Sequence, residues 1–157
     1  MGKKPVVLLV DDEEMVITSV RAYLSLEGDF DLQGFTDPQA AVEYVRQNSF
    51  DVIVSDYLMP RINGIQLLKI AKEAAPEASR ILLTGHSDKQ SAIEAINDVA
   101  LFQYIEKPWD NQQLLLAIQG GIERTQLLRD LREKMAELST ANDSLKDVQR
   151  RLIKAFL

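Results

Sequence analysis

Four consecutive acidic residues, Asp11-Asp12-Glu13-Glu14, follow the apolar run Val6–Val10, and a single aspartate, Asp56, follows Val52-Ile53-Val54-Ser55. Thr84 closes a third run, Arg80–Thr84, and Glu106-Lys107-Pro108 follow a fourth, Leu101–Ile105. The chain has no Cys and one His, His86. Disulfides, zinc–thiolate sites and thiol nucleophiles are therefore excluded, leaving the chemistry of oxygens and an ammonium. Were the three aspartates to meet, each like-charge pair at about 4 Å would cost roughly 4 kcal/mol at an effective dielectric of about 20. Such a cluster holds protons or a cation. Ligands that are all oxygen call for a hard cation, and few carboxylates with room for water suit Mg²⁺ better than a Ca²⁺ cage. Lys107 supplies a positive charge and Thr84 a hydroxyl donor for anionic oxygens. Together these groups suit an incoming phosphoryl group attacked in line by a carboxylate. Asp56, alone at its strand end, is the better nucleophile candidate; Asp11 and Asp12 are the better metal anchors.

The elements between these residues must bring them together. Near-continuous apolar runs such as Val6–Val10 predict strands covered on both faces. Phe30–Phe35 alternates instead and predicts an edge strand. Between the strands lie helical patterns with legible ends. Val16, Val20 and Leu24 mark the first, with Gly28 as its stop. Thr36-Asp37-Pro38 opens the second, over Ala40–Val45. Asn63-Gly64 opens the third, over Ile65–Ala75, before Pro76. Ser87 with Gln90 makes a capping box for a fourth over Ala92–Ile96, and Asp110 with Gln113 starts a fifth. The fold class is α/β: a doubly wound, five-stranded parallel sheet in flavodoxin-like order 2-1-3-4-5. In such a sheet ligands bind outside the carboxyl ends of the strands, which is where Asp11, Asp12, Asp56, Thr84 and Lys107 fall.

The fifth helix has no stop where a domain of this kind ends. Gly120-Gly121 weakens it, yet no Pro follows Pro108. Leu131, Leu138, Leu145 and Leu152 repeat every seven residues, with Leu128, Met135, Asn142 and Gln149 at the other seam position. That spacing predicts a coiled coil, with Asn142 at an a position favouring a parallel pair. The competing pattern stops the helix near Leu138 and starts a short one in Ser139–Ser144. The domain expectation is 1–124 for the α/β unit and 125–157 for a helical extension or linker.

Four segments, in order and at the right strand ends, resemble the receiver domain of bacterial two-component response regulators. They are Val10-Asp11-Asp12-Glu13, Val54–Pro60 with Asn63-Gly64 behind it, Leu83-Thr84-Gly85 and Tyr104–Pro108. The resemblance covers about residues 4–124. It implies that Asp56 accepts a phosphoryl group from a phosphohistidine on a sensor kinase or phosphotransfer protein. It implies Mg²⁺ held by Asp11, Asp12, Asp56 and the backbone carbonyl of Leu58. Thr84 and Lys107 then bind the phosphoryl oxygens, a cis peptide precedes Pro108, and Tyr104 is the aromatic that turns inward on activation. Phosphorylation replaces one negative charge by roughly two and adds acceptor oxygens. It would change the surface of the fourth helix, fifth strand and fifth helix, and with it the geometry of a homodimer joined through the C-terminal helix. Tyr104 as plain core, Thr84 as a strand end, His86 as a loop residue and Trp109 as a packing anchor are the blander readings.

Composition narrows the rivals. The net charge is −6, acidic residues concentrate before residue 126, and the remainder is mildly basic. Direct DNA binding has no support in charge or in a helix-turn-helix pattern. The apolar runs are far too short to span a bilayer, so a cytoplasmic, membrane-free protein is expected. A Mg²⁺-dependent phosphatase of haloacid-dehalogenase type uses a similar aspartate, but needs an acid two residues later, where this chain has Leu58. A Rossmann nucleotide binder lacks its G-x-G-x-x-G after the first strand. The apolar ending Arg151–Leu157 is expected to lead into an output domain outside this chain, the extension otherwise serving a stand-alone dimer. A regulatory phospho-acceptor, not a turnover enzyme, is expected.

Overall fold

The computed structural model describes residues 3–88, 90, 93 and 98–156. Five strands form one parallel sheet: β1 (Val6–Val10), β2 (Asp31–Phe35), β3 (Val52–Asp56), β4 (Ser79–Thr84) and β5 (Gln103–Glu106). Their order is β2-β1-β3-β4-β5, with the alternating strand at the edge as its pattern requires. Helices α1 (Glu14–Glu27), α2 (Pro38–Gln47) and α3 (Gly64–Ala74) and a C-terminal helix (Asn111–Phe156) complete the described elements, with a short 3₁₀ turn at His86–Asp88. The fourth expected helix, over Ala92–Ile96, lies outside the described residues apart from Ile93.

The sheet divides the core into two layers. Val7 and Leu9 of β1 pack with Ile17, Val20 and Leu24 of α1 and with Leu114, Ile118 and Ile122 of the C-terminal helix. Leu8 and Val10, pointing the other way, pack with Val42 and Val45 of α2 and Leu67 and Leu68 of α3. Both faces of the central strands are thus covered, which is why their sequences are apolar without alternation. The α1 face differs by one residue from the expected one: Ile17, not Val16, joins Val20 and Leu24 in the core. Val16 remains at the margin of the cluster, because 17, 20 and 24 keep one face of the helix toward the sheet.

Helix starts follow their caps. Asp37 accepts the N–H of Gln39 with Pro38 in the first turn, and Asn63 and Gln66 form a reciprocal capping box. Asp110 accepts the N–H of Gln112 at 3.0 Å rather than that of Gln113. Gly28 ends α1 with an extended backbone, not a left-handed one.

The C-terminal helix runs unbroken through Gly120-Gly121 and through Ser139–Ser144; the two-helix alternative is not what forms. Gly121 lies against the sheet, where an added Cβ would come within 3.2 Å of both Ser79 and Val52. One turn later Thr125, fully buried, donates to the Asp51 carbonyl at 2.7 Å and accepts the N–H of Ser79 at 3.1 Å. The same end of β4 holds Arg80, 2 % exposed, whose guanidinium donates to the carbonyls of Val99, Ala78, Pro76 and Ala100. By compactness the chain divides into residues 1–125 and 126–157. The second unit is helical and carries exposed Leu131, Met135, Leu138, Leu145 and Leu152. No helix among the described residues is long and apolar enough to cross a membrane.

Candidate functional site

Strand register sets the carboxyl edge. Val10 pairs with Phe35 and Ser55, Asp56 with Leu83, and Thr84 with Glu106. The ladder continues past the strand ends: Asp11 N–H donates to Phe35 at 3.0 Å, Tyr57 N–H to Leu83 at 2.8 Å and Lys107 N–H to Thr84 at 2.8 Å. These bonds deliver Asp11, Asp56 and Lys107 to one crevice from three non-adjacent stretches of chain. The Lys107–Pro108 peptide is cis.

Asp11, Asp12 and Asp56 each bring a carboxylate oxygen within 4.8 Å of the others. Asp11 is fully buried and Asp56 is 5 % exposed, whereas Asp12 faces solvent. Lys107 Nζ lies 2.8 Å from Asp56 Oδ1 and 3.9 Å from Asp11 Oδ2. Asp11 Oδ1 accepts the N–H of Glu13 at 2.9 Å. Its buried Oδ2 has no hydrogen-bond partner among the described residues. A buried carboxylate oxygen without a donor is costly unless something charged meets it. Three clustered carboxylates with one such oxygen fit a hard divalent cation.

The electrostatics agree. Burial pushes the Asp11 carboxyl up to about 6, aided by the Asp56 charge and opposed by the Glu13 N–H and Lys107. Burial also raises Asp56, against the hydrogen bond and charge of Lys107. Burial alone would lower Lys107; the Asp56 hydrogen bond and the surrounding carboxylates outweigh it, so the ammonium is held above its ordinary value. One ammonium does not offset two buried carboxylates.

Thr84 is buried next to Lys107, with its hydroxyl donated to the Gly85 carbonyl at 3.2 Å. Leu58 is exposed in the loop between β3 and α3, and Tyr104 of β5 is 37 % exposed, so its ring is not core. Trp109 is half-buried against the α1 layer, as a packing anchor would be. Of His86 only the backbone, in the 3₁₀ turn, is described. Two features escaped the sequence reading. Gly64 sits so close to the Asp56 carbonyl that any Cβ would collide with it; Asn63-Gly64 reads simply as a helix start. A groove of ≈ 470 Å³ also runs beside the site between α1 and the Pro108-Trp109 turn, with Val16, Val20 and Trp109 in its lining.

An open parallel sheet with an acidic cluster and a lysine at its carboxyl edge fits a receiver domain, and comparison with known proteins agrees. The chain matches the response regulator receiver domain over residues 7–119 and belongs to that family. It is similar to the hydrogenase transcriptional regulatory protein HoxA of Cupriavidus necator, 29 % identical over 92 % of this chain and 30 % of that protein. It is likewise similar to the transcriptional regulatory protein FixJ of Bradyrhizobium diazoefficiens, 29 % identical over 88 % of this chain and 70 % of that one. The chain thus spans less than a third of HoxA. Among solved structures, the signal receiver domain of an HD domain-containing protein from Pseudomonas fluorescens superposes with a TM-score of 0.76 at 31 % identity, covering 83 % of this chain and 95 % of that one. An adenylate cyclase structure from Rhodopirellula baltica gives 0.78 at 26 %, covering 84 % and 97 %. Residues 7–119 thus form a response regulator receiver domain, a regulatory domain; the phosphatase alternative gains nothing from these relatives, and Leu58 stands where its acid is needed.

Proposed function

We propose that Asp56 accepts a phosphoryl group from a phosphohistidine on a sensor kinase or phosphotransfer protein. A carboxylate oxygen of Asp56 bonds to phosphorus, the phosphorus–nitrogen bond breaks, and the imidazole leaves with the electron pair and takes up a proton. The product is an acyl phosphate on Asp56. Asp11, Asp12, Asp56 and the Leu58 carbonyl are the residues that would hold Mg²⁺, which supplies charge neutralisation at the transferring oxygens. Lys107 moves from the Asp56 carboxylate to a phosphoryl oxygen, and the Thr84 hydroxyl turns from Gly85 to another. The groove between α1 and Trp109, lined also by Lys107, gives the donor protein apolar surface beside the site. The observation that carries this reading is the meeting of Asp11, Asp12, Asp56 and Lys107 at one strand edge.

The switch follows from the added charge. As Thr84 is drawn in, the loop after β4 shifts and Tyr104 turns inward, changing the face formed by that region, β5 and the C-terminal helix. The receiver is residues 1–124; residues 125–157 extend it and pair in parallel with a second copy, so that phosphorylation alters dimer geometry. The only turnover is self-phosphorylation and autodephosphorylation, in the cytoplasm, and the output lies with a further domain or partner.

Incubation with acetyl phosphate and Mg²⁺, followed by intact mass measurement, tests the assignment. One phosphoryl adduct is expected on the wild type and none on Asp56→Asn. Equal yield on the variant would remove Asp56 from its role.

A further inference from the structure

The last turns of the C-terminal helix carry more exposed apolar surface than a simple seam needs. Leu145 and Leu152 are 62 % and 54 % exposed, and Val148 and Ile153, beside them, are 50 % and 58 % exposed. The heptad that places the leucines at d puts Val148 at g and Ile153 at the e of the following heptad. Asp147 and Arg151, on the far side, pair within the helix at 2.9 Å, and Lys146 is the one charge of this stretch beside the seam. Earlier heptads are different: their flanks are Arg132 and Ser139 at e and Lys134 at g, with Lys146 at the next e.

In a parallel, in-register pair each g position meets the following e position of the other strand. Lys134 then meets Ser139, Ala141 meets Lys146, and Val148 meets Ile153. No two like charges are opposed, and the two apolar flanks cover one another. This self-complementarity identifies the occupant of the face as a second copy of the chain. Resting on the proposed pairing of the helix, we infer that Val148 of each copy packs on Ile153 of the other, and that these two contacts make Leu145–Ile153 the principal anchor of the dimer. Gln149, at the a position between Leu145 and Leu152, is closed off from water by the same contacts. The preceding heptads, with charged flanks and Asn142 in the seam, then hold the copies less tightly.

Sedimentation equilibrium of the full chain tests the contact by charge exchange. Val148→Lys and Ile153→Glu are each expected to weaken self-association by roughly tenfold or more. The double variant is expected to recover most of that loss, because the new lysine and glutamate face each other between strands. Lysine and glutamate are good helix formers, so circular dichroism should show the helix retained. Phosphoryl uptake from acetyl phosphate reports that the receiver is intact. A wild-type dimer indifferent to both single changes overturns the contact, as does a double variant no tighter than the weaker single one, or a trimer or larger assembly. A wild type that is monomeric at every concentration overturns the pairing itself together with this contact.

Discussion

Lys107 Nζ bonds Asp56 Oδ1 at 2.8 Å, so the ammonium already holds a carboxylate that would help to hold a divalent cation. The two cations compete for the same negative charge. Replacing Lys107 by Met removes the competitor, and Mg²⁺ affinity is expected to rise by roughly three- to tenfold. Phosphoryl uptake should fall in the same variant, because a phosphoryl oxygen loses its counter-charge. Titration calorimetry and intact mass measure the two effects; Mg²⁺ binding weakened by the change would contradict the competition.

Burial raises the Asp11 carboxyl to about 6, which makes the site sensitive to pH. An acid whose value is raised on folding contributes stability below its unfolded value and loses it as pH climbs through the folded one. For Asp11 that window runs from 3.8 to about 6. Metal-free protein is therefore expected to lose thermal stability across the window, and added Mg²⁺ at pH 7 to restore it. Mg²⁺ affinity should fall as pH drops through about 6, since proton and cation contend for the same oxygens. Melting curves with Mg²⁺ and with chelator, from about pH 4 to 7, show this; parallel curves at every pH would refute it.

The Thr125 hydroxyl meets Ser79 Oγ at 2.9 Å in full burial, and it also satisfies the Ser79 N–H and the Asp51 carbonyl. Thr125→Val keeps the shape and leaves those groups without it. A loss of about 1–3 kcal/mol is expected in denaturant unfolding. Thr125→Ser, which restores the hydroxyl, should recover most of it.

The carboxyl edge of the sheet is legible in the sequence because burial on both faces writes each inner strand as an apolar run, and the first one or two polar residues after the run fall at the strand's end. Asp11, Asp56 and Lys107 were found that way, and Asp37 and Asn63 as caps by local chemistry alone. Boundaries were less legible. Leu101 and Phe102 look like strand but precede β5, because Phe102 N–H pairs with Arg80 while the run is still turning into the sheet. Val16 and Ile17 are both apolar; periodicity points to Val16, and the structure buries Ile17. Arg80 and Thr125 carried no signal. A polar residue in an apolar stretch acquires its meaning from carbonyls brought by distant chain, and spacing does not encode them.

Arg80 has one consequence beyond packing. A guanidinium keeps its proton at any acidity the fold survives, so its grip on the Val99, Ala78, Pro76 and Ala100 carbonyls is the same in every buffer. The opposite tip of the same strand sits beside groups that respond to acid. β4 is thus a bar bolted down at one end by a group that keeps its charge, with the acid-responsive aspartates gathered at the other.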